Sequence, residues 1–174
     1  MTIGVSSGTN GNNKLDIKYF SNELIYFEAP ETYLGNILFA YGKSLSFDVG
    51  DNGSGSFTSK PDVVLVGNGL TLVLDIPVNP PSNINLQLGH YDVTLAPSSA
   101  WHISTLDGIT PSTTQFQSVL SSLTALRIRG AYHTSGVGGI DNIVLVPEPT
   151  SIGLFCLAAP VIALAYYSRT RRCS

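Results

Sequence analysis

Short apolar stretches separated by turn-forming residues recur along most of the chain. Runs rich in Val, Ile, Leu, Phe and Tyr alternate with Gly, Pro, Asn and Ser, a pattern typical of short β-strands joined by tight turns. Neither a long internal repeat nor a heptad pattern is present. The chain is therefore predicted to form an all-β sandwich of about eight strands. The predicted strands are 15–20, 24–28, 45–49, two runs within 62–74, 90–95, 125–132 and 140–146.

Two local signals are sharper than the rest. The two runs within 62–74 meet at Asn68-Gly69, which predicts a β-hairpin with a primed turn that needs positive φ. Thr110-Pro111-Ser112 is typical of a helix start. One short amphipathic helix is therefore predicted to cover the sandwich, with apolar residues at helical spacing: Phe116, Val119, Leu120 and Leu123. The segments 50–60 and 77–85 are predicted to be surface loops.

The last 28 residues have a different layout. Residues 147–151 form a short Pro-Glu-Pro segment, 152–167 form an uncharged apolar run, and 168–174 contain three arginines. At a rise of about 1.5 Å per residue the run spans roughly 24 Å, somewhat less than a hydrocarbon core of about 30 Å. A buried core helix is the alternative, but such a helix would present a polar face. We predict a single C-terminal transmembrane helix, with the arginines on the cytoplasmic side and the body of the chain outside.

The segment Val146-Pro147-Glu148-Pro149-Thr150-Ser151 resembles the PEP-CTERM sorting signal of Gram-negative bacteria, whose motif is V-P-E-P-T-S. The resemblance implies that a membrane-embedded exosortase recognises Pro147, Glu148 and Pro149 and removes the helix and the basic tail. Export also needs an N-terminal signal. Met1 to Gly8 carries neither a basic nor an apolar signal region, so we expect the true start of the protein to lie upstream. An uncleaved signal or an unconventional export route is the alternative.

Composition limits the function of the body, residues 1–146. Its length is that of one domain, with a strand region at 1–23 and the sandwich at 24–146. Six basic and eleven acidic residues give these 146 residues a net charge of −5, which excludes nucleic acid as a partner. Cys156 and Cys173, the only cysteines, lie in the tail. The domain thus has no disulfide and no thiolate metal site.

A second resemblance covers residues 24–146. The segments 25–36 and 40–47, followed by Gly67-Asn68-Gly69-Leu70, Trp101 and residues 123–130, are similar to the laminin IV type A domain. Lys43 departs from the family, which usually has a second glycine there, and this tightens the requirements of that turn. The resemblance implies a jelly-roll β-sandwich similar to carbohydrate-binding modules. Such domains occur in animal matrix proteins and in bacterial surface proteins.

Aromatic and basic residues are the candidates for ligand contacts. Sugar-binding sandwiches stack exposed aromatic rings on pyranose faces, and the candidates here are Tyr33, Tyr41, Trp101 and Tyr132. Core packing is the alternative for each of them, above all for Trp101. Arg127 and Arg129 lie two residues apart on a predicted strand and should share a face. They are interpreted either as a site for acidic polysaccharide or as part of an ion-paired sheet face.

Asp141 is the candidate metal ligand. Sandwiches of this type often bind a structural Ca²⁺ ion near the last strand and the N-terminal segment, where Asn12, Asn13 and Asp16 are candidate neighbours. The favoured alternative is that Asp141 caps a turn through its side-chain oxygen.

Nothing in the sequence indicates catalysis. His90, His102 and His133 are scattered and lie in no metal-binding or nucleophile motif, and no spacing singles out a pair of carboxylates. The sequence therefore predicts a non-enzymatic protein that is exported, anchored in the inner membrane and released to the cell surface or extracellular matrix. Its sandwich would act in adhesion or spacing by binding extracellular polysaccharide. The alternative is a scaffold that binds surface proteins without sugar affinity.

Overall fold

A computed structural model describes residues 2–5, 15–19, 24–54, 59–81 and 85–145. Within these ranges the chain forms ten strands, one α-helix and two short 3₁₀-helices. The strands are β1 (Thr2–Val5), β2 (Leu15–Tyr19), β3 (Tyr26–Glu28), β4 (Ser44–Asp51), β5 (Val63–Gly67), β6 (Leu70–Leu74), β7 (Gly89–Thr94), β8 (Trp101–Ile103), β9 (Leu123–Arg129) and β10 (Gly136–Leu145). The helix α1 is Thr113–Ser121, and the 3₁₀-helices are Glu31–Tyr33 and Leu38–Ala40.

The strands form two five-stranded antiparallel sheets. The first sheet has the order β1-β2-β10-β4-β7, and the second has the order β3-β9-β5-β6-β8. This arrangement confirms the predicted all-β sandwich with one short helix. Strand β8 was not predicted, because its three residues are too few to give a recognisable alternation of apolar and polar positions.

The core lies between the sheets and follows from the alternation of side chains along each strand. In β4 the apolar residues Leu45, Phe47 and Val49 are buried, whereas the intervening positions are partly exposed. Trp101 of β8 is fully buried and meets Phe116 of α1 edge to face, with ring centroids 5.3 Å apart. The buried indole also has a hydrogen-bond partner across the sandwich, since its Nε1 donates to the backbone oxygen of Thr94 in β7 at 3.0 Å.

The two sharp local predictions are confirmed. Asn68 and Gly69 adopt positive φ, 48° and 73°, and join β5 to β6 in a hairpin. Ser112 caps α1 through a capping box in which its side chain accepts from the Gln115 backbone and the Gln115 side chain accepts from the Ser112 backbone. Leu123, which was predicted to lie on the helix, instead begins β9.

Two expectations about loops need correction. The predicted surface loop 50–60 is wrong at its start, because β4 continues through Gly50 and Asp51, which are both buried. Gly50 is needed there, since a Cβ would lie 2.2 Å from the backbone oxygen of Gln87. In the turn before β4 the left-handed conformation falls on Gly42 (φ 78°) rather than on Lys43, so the departure at position 43 imposes no strain.

Several predictions concern residues outside the described ranges. These are the sorting motif with Pro147, Glu148 and Pro149, the apolar run 152–167, the basic tail, and Asn12 and Asn13. Across the described residues, no helix has the length and apolar character to cross a bilayer. The C-terminal membrane helix therefore stays a prediction.

Candidate functional site

A groove opens between the two sheets where strand β3 forms the edge of the second sheet. Its cavity has a volume of about 360 Å³, within the range of small-ligand pockets. The floor is made by core side chains, namely Phe27, Leu45, Leu126, Ile128 and Ile140. The first sheet supplies the opposite wall, since among the described strands β2 pairs with β10 only as far as Ile140. The groove thus lies between the outer edge of β3 and the last residues of β10.

A β-bulge in β10 shapes one wall of the groove. The pairing of β10 with β4 shifts between Asp141 and Val144, and Asn142 between them has a positive φ of 49°. At this one-residue bulge Ile143 lies at the groove wall, where it is 52% exposed. Bulges often re-aim side chains at the edges of sheets, and this one places an apolar side chain where a ligand can reach it.

Polar groups surround the mouth of this apolar groove. Glu28 and Asp141 line it from opposite sheets, and Asn142 lies beside Asp141. Glu28 is bridged to Arg127, whose Nη2 lies 3.3 Å from Glu28 Oε1. The Asn142 side chain donates to Asp48 Oδ2 at 2.6 Å. The site therefore offers an apolar floor with carboxylate, amide and guanidinium groups at its rim.

Tyr33 and Tyr41, both predicted as ligand contacts, lie in different environments. Tyr33 ends the first 3₁₀-helix, lines the groove and is 60% exposed. Tyr41 is half-buried and packs against Phe116, with ring centroids 6.3 Å apart. Tyr33 is thus the one of this pair that a surface ligand can stack on.

Arg127 and Arg129 do not form a paired basic surface. The Arg127 side chain is 39% exposed, whereas that of Arg129 is 1% exposed. Arg129 is enclosed by the chain on both sides, since its Nε donates to the Ala131 oxygen at 2.6 Å and its Nη1 to the Lys60 oxygen at 3.2 Å. Of the two, only Arg127 lies within reach of a ligand at the surface.

Tyr132 and Trp101 are also inside the fold. The Tyr132 ring lies against the Arg129 guanidinium, with 4.6 Å between the guanidinium carbon and the ring centroid. Its backbone N–H donates to Asp51 Oδ2 at 3.0 Å, and the buried Asp51 also lies 3.0 Å from His133 Nδ1. Burial raises the pKa of the Tyr132 hydroxyl well above its usual range. Both aromatic residues therefore stabilise the core and are out of reach of a surface ligand in this structure.

Asp62, which sequence analysis placed in the hairpin without any role, completes this buried cluster. Asp62 lies 3.6 Å from Arg129 Nη1, and its Oδ2 accepts from the Ile76 backbone at 2.8 Å. Burial, followed by a hydrogen bond with Asp75, raises the pKa of Asp62 to about 7. Its partners are distant in sequence, so no local pattern could identify it.

Asp141 makes a local side-chain hydrogen bond, but to the next residue rather than to the N–H two residues on that an Asx turn uses. Its Oδ1 accepts from the Asn142 backbone N–H at 2.8 Å, beside the bulge. Gly139, two residues before Asp141, pairs with Asp16 on β2. Over the part of the chain that the structure describes, no group of three or more His, Cys, Asp or Glu side chains is arranged to hold a metal ion. Calcium binding at Asp141 stays an untested prediction.

A second polar cluster lies on the outer face of the first sheet. His90 of β7 lies 2.5 Å from Asp48 and 3.5 Å from Asp92, and Ser46 donates to Asp92. The hydrogen bond with Asp48 raises the pKa of His90. These side chains pair with one another on the sheet face, and Asp48 also accepts from the Asn142 side chain at the groove.

Comparison with known proteins identifies the family of the sandwich. The family model for Laminin B (Domain IV) matches residues 26–148. The chain belongs to the laminin B (domain IV) family. Laminin subunit gamma-2 of Equus caballus is 36% identical over 127 residues, and that of Homo sapiens is 34% identical over 124 residues. Each alignment covers 70% of this chain but 10% of the relative, so the chain spans about a tenth of the length of these laminins.

Solved structures support the same fold for this laminin B domain. The L4b domain of human laminin alpha-2 superposes with a TM-score of 0.60 at 18% identity, covering 70% of this chain and 68% of that one. A family 11 carbohydrate-binding module from a Clostridium thermocellum cellulase superposes with a TM-score of 0.52 at 16% identity, covering 84% and 81%. At these identities the likeness is one of fold alone, and it confirms the predicted similarity to laminin IV domains and to carbohydrate-binding modules.

Proposed function

We propose that the protein is an exported, non-catalytic surface protein whose laminin B sandwich binds extracellular polysaccharide weakly and thereby acts in matrix adhesion or spacing. Its laminin relatives and its carbohydrate-binding-module fold support an extracellular binding role, although the fold by itself does not assign a ligand. The sequence supports a non-enzymatic role, since it carries no catalytic motif.

The observation that carries the proposal is the groove with Tyr33 at its rim. An exposed aromatic ring beside an apolar floor can cover the C–H face of a sugar. The carboxylates of Glu28 and Asp141 and the Asn142 amide can accept or donate hydrogen bonds to its hydroxyls. A sugar ring needs both apolar stacking and hydrogen bonds. Among the aromatic candidates, Tyr33 is the one that lies beside groups of both kinds.

A pair of matched variants tests this proposal. In the processed protein, residues 1–146, Tyr33→Ala should abolish retardation in gels containing the cell's own matrix polysaccharide, because it removes the stacking surface. Phe39→Ala is the control, since Phe39 is 58% exposed on the neighbouring 3₁₀-helix and does not line the groove. Equal retardation of both variants and the parent would contradict a sugar site at the groove.

We further propose that the protein reaches the surface through the PEP-CTERM-like signal at Pro147-Glu148-Pro149. An exosortase in the inner membrane would cleave near this motif and release the sandwich from its membrane helix. The mass of the mature protein, compared between cells with and without the sorting protease, tests this step. Truncation near Pro147 only when the protease is present supports sorting, and an intact C-terminus in both strains would leave a tail-anchored protein.

A protein-binding scaffold is the second candidate, and the open edge of β3 favours it. Phe27 exchanges backbone hydrogen bonds with Ile128 of β9. In an antiparallel pair the residues on either side, Tyr26 and Glu28, therefore point their backbone N–H and C=O groups away from β9. Such an edge beside an apolar groove can accept an extended peptide as an added strand. Capture of another surface protein by the groove, with no retardation by polysaccharide, would favour this candidate.

A further inference from the structure

We propose that the groove is occupied by the apolar C-terminal segment of the same chain, residues 152–167, until that segment is inserted into a membrane or removed. The segment would fill the groove before any other ligand binds there, whether that ligand is a sugar or a protein.

The position at which the chain leaves the sandwich favours this occupant. Leu145, the last residue of β10, itself lines the groove. The apolar run begins seven residues later, at Ile152. An extended chain of that length reaches at most about 25 Å, so the start of the run can reach the groove mouth. Because of this short tether, the effective concentration of the segment at the groove is roughly of millimolar order. A separate partner would need a comparable free concentration to compete with it.

The chemistry of the groove also matches this segment. Its floor is made of aliphatic and phenyl side chains, and Ile143 stands exposed at its wall. The run from Ile152 to Leu157 offers the apolar side chains Ile152, Leu154, Phe155 and Leu157. Burying a few of them in the groove would remove apolar surface from water on both sides of the contact.

Charge complementarity points to the same occupant. The groove mouth carries the carboxylates of Glu28 and Asp141, with Glu31 exposed on the 3₁₀-helix that ends at Tyr33. Arg127 offsets the charge of Glu28, which leaves the mouth acidic. The tail that follows the apolar run carries Arg169, Arg171 and Arg172. An apolar segment followed by a cationic end therefore fits an apolar groove with an acidic rim.

The distribution of cysteines allows a direct test in the full-length chain. Both native cysteines, Cys156 and Cys173, lie in the tail, so a cysteine placed on the sandwich has only these partners. In a Cys173→Ser background, Ile143→Cys places a thiol on the groove wall. Ile109→Cys is the matched control, because Ile109 is 74% exposed and its backbone oxygen accepts from Ile103 of β8, at the opposite edge of the second sheet from β3.

Both variants are oxidised mildly as dilute monomers without detergent, and the bridges are located by mass spectrometry of the unreduced protein. Position 143 lies 13 residues from Cys156 along the chain, so tethering alone favours its bridge over that from position 109. The mark of docking is that the bridge from position 143 to Cys156 slows about threefold when the cationic end is reversed by Arg171→Glu with Arg172→Glu, whereas the bridge from position 109 keeps its rate. Tyr33→Cys, on the other wall, should behave like Ile143→Cys. Arg171→Glu with Arg172→Glu should slow the reaction at both groove positions.

Rates at positions 143 and 33 that the charge reversal leaves unchanged would overturn the proposal, and so would bridges that join two chains only. Unfolding of all cysteine variants at the temperature of the parent chain establishes that the sandwich is intact. This test does not depend on sugar binding. A failure here leaves the ligand proposal standing, and a failure of the retardation experiment leaves tail docking standing.

Discussion

At the scale of single residues, the polar interior of the sandwich is the feature that sequence inspection missed. Asp62 and Arg129 are each 1% exposed and lie 3.6 Å apart, and Tyr132 covers the guanidinium. Buried ion pairs cost desolvation energy and gain Coulomb energy, so a pair of this kind is better evidence for a specific arrangement than for high stability. Here the pair ties the start of the β5–β6 hairpin to the end of β9.

The raised pKa of Asp62, about 7, has a consequence for stability. The same group in the unfolded chain titrates near its ordinary value of about 4, so the folded state binds the proton more tightly. The contribution of Asp62 to the free energy of unfolding should therefore increase as the pH falls from about 7 towards 4. Urea unfolding of the parent and of Asp62→Asn across this range tests this. The difference between their free energies of unfolding should grow as the pH falls.

Asp107→Asn controls for the loss of one negative charge, because Asp107 lies exposed in the connection between β8 and α1. Removing the exposed partner with Asp75→Asn should move the midpoint of the pH dependence downwards, since the hydrogen bond with Asp75 raises the pKa of Asp62. A difference between the parent and Asp62→Asn that stays constant with pH would contradict this assignment.

At the scale of elements, the parts that sequence predicts well are those encoded by neighbouring residues. Asn68-Gly69 forms its primed turn and Ser112 caps α1, because both depend on backbone conformation within four residues. The bulge at Asn142 and the burial of Asp51 depend instead on strands that meet from distant parts of the chain. The groove belongs to this second group, since it exists only where the edges of β3 and β10 come together.

The turn between β5 and β6 allows the contribution of one local sequence signal to the free energy of unfolding to be measured. A Cβ at Gly69 would meet no atom within 4 Å, so the cost of Gly69→Ala comes from its φ of 73° alone. We expect a loss of about 1 kcal/mol in the free energy of unfolding, the usual cost of a left-handed conformation for an L-residue. Equilibrium unfolding in urea measures it. Gly67→Ala is the contrast, because a Cβ there would lie 2.4 Å from the Val119 oxygen and should cost more.

At the scale of the whole molecule, a laminin B sandwich is joined to a predicted sorting signal. The strand that ends the sandwich also lines the groove, so the chain leaves the domain at the candidate ligand site. Membrane anchoring, release and ligand binding are therefore coupled in our account. Under these proposals the groove would become free when the tail enters the membrane, and cleavage near the motif would then release the domain.

Residue-resolved NMR of residues 1–146, titrated with fragments of the matrix polysaccharide, tests whether the groove binds this polysaccharide. We predict that the backbone amide shifts change at Glu28, Tyr33, Asn142 and Ile143, which line the groove in the two facing sheets. Changes confined to His90 and Asp92, on the outer face of the first sheet, would contradict the groove as the ligand site. The absence of any change at millimolar fragment would contradict polysaccharide binding itself.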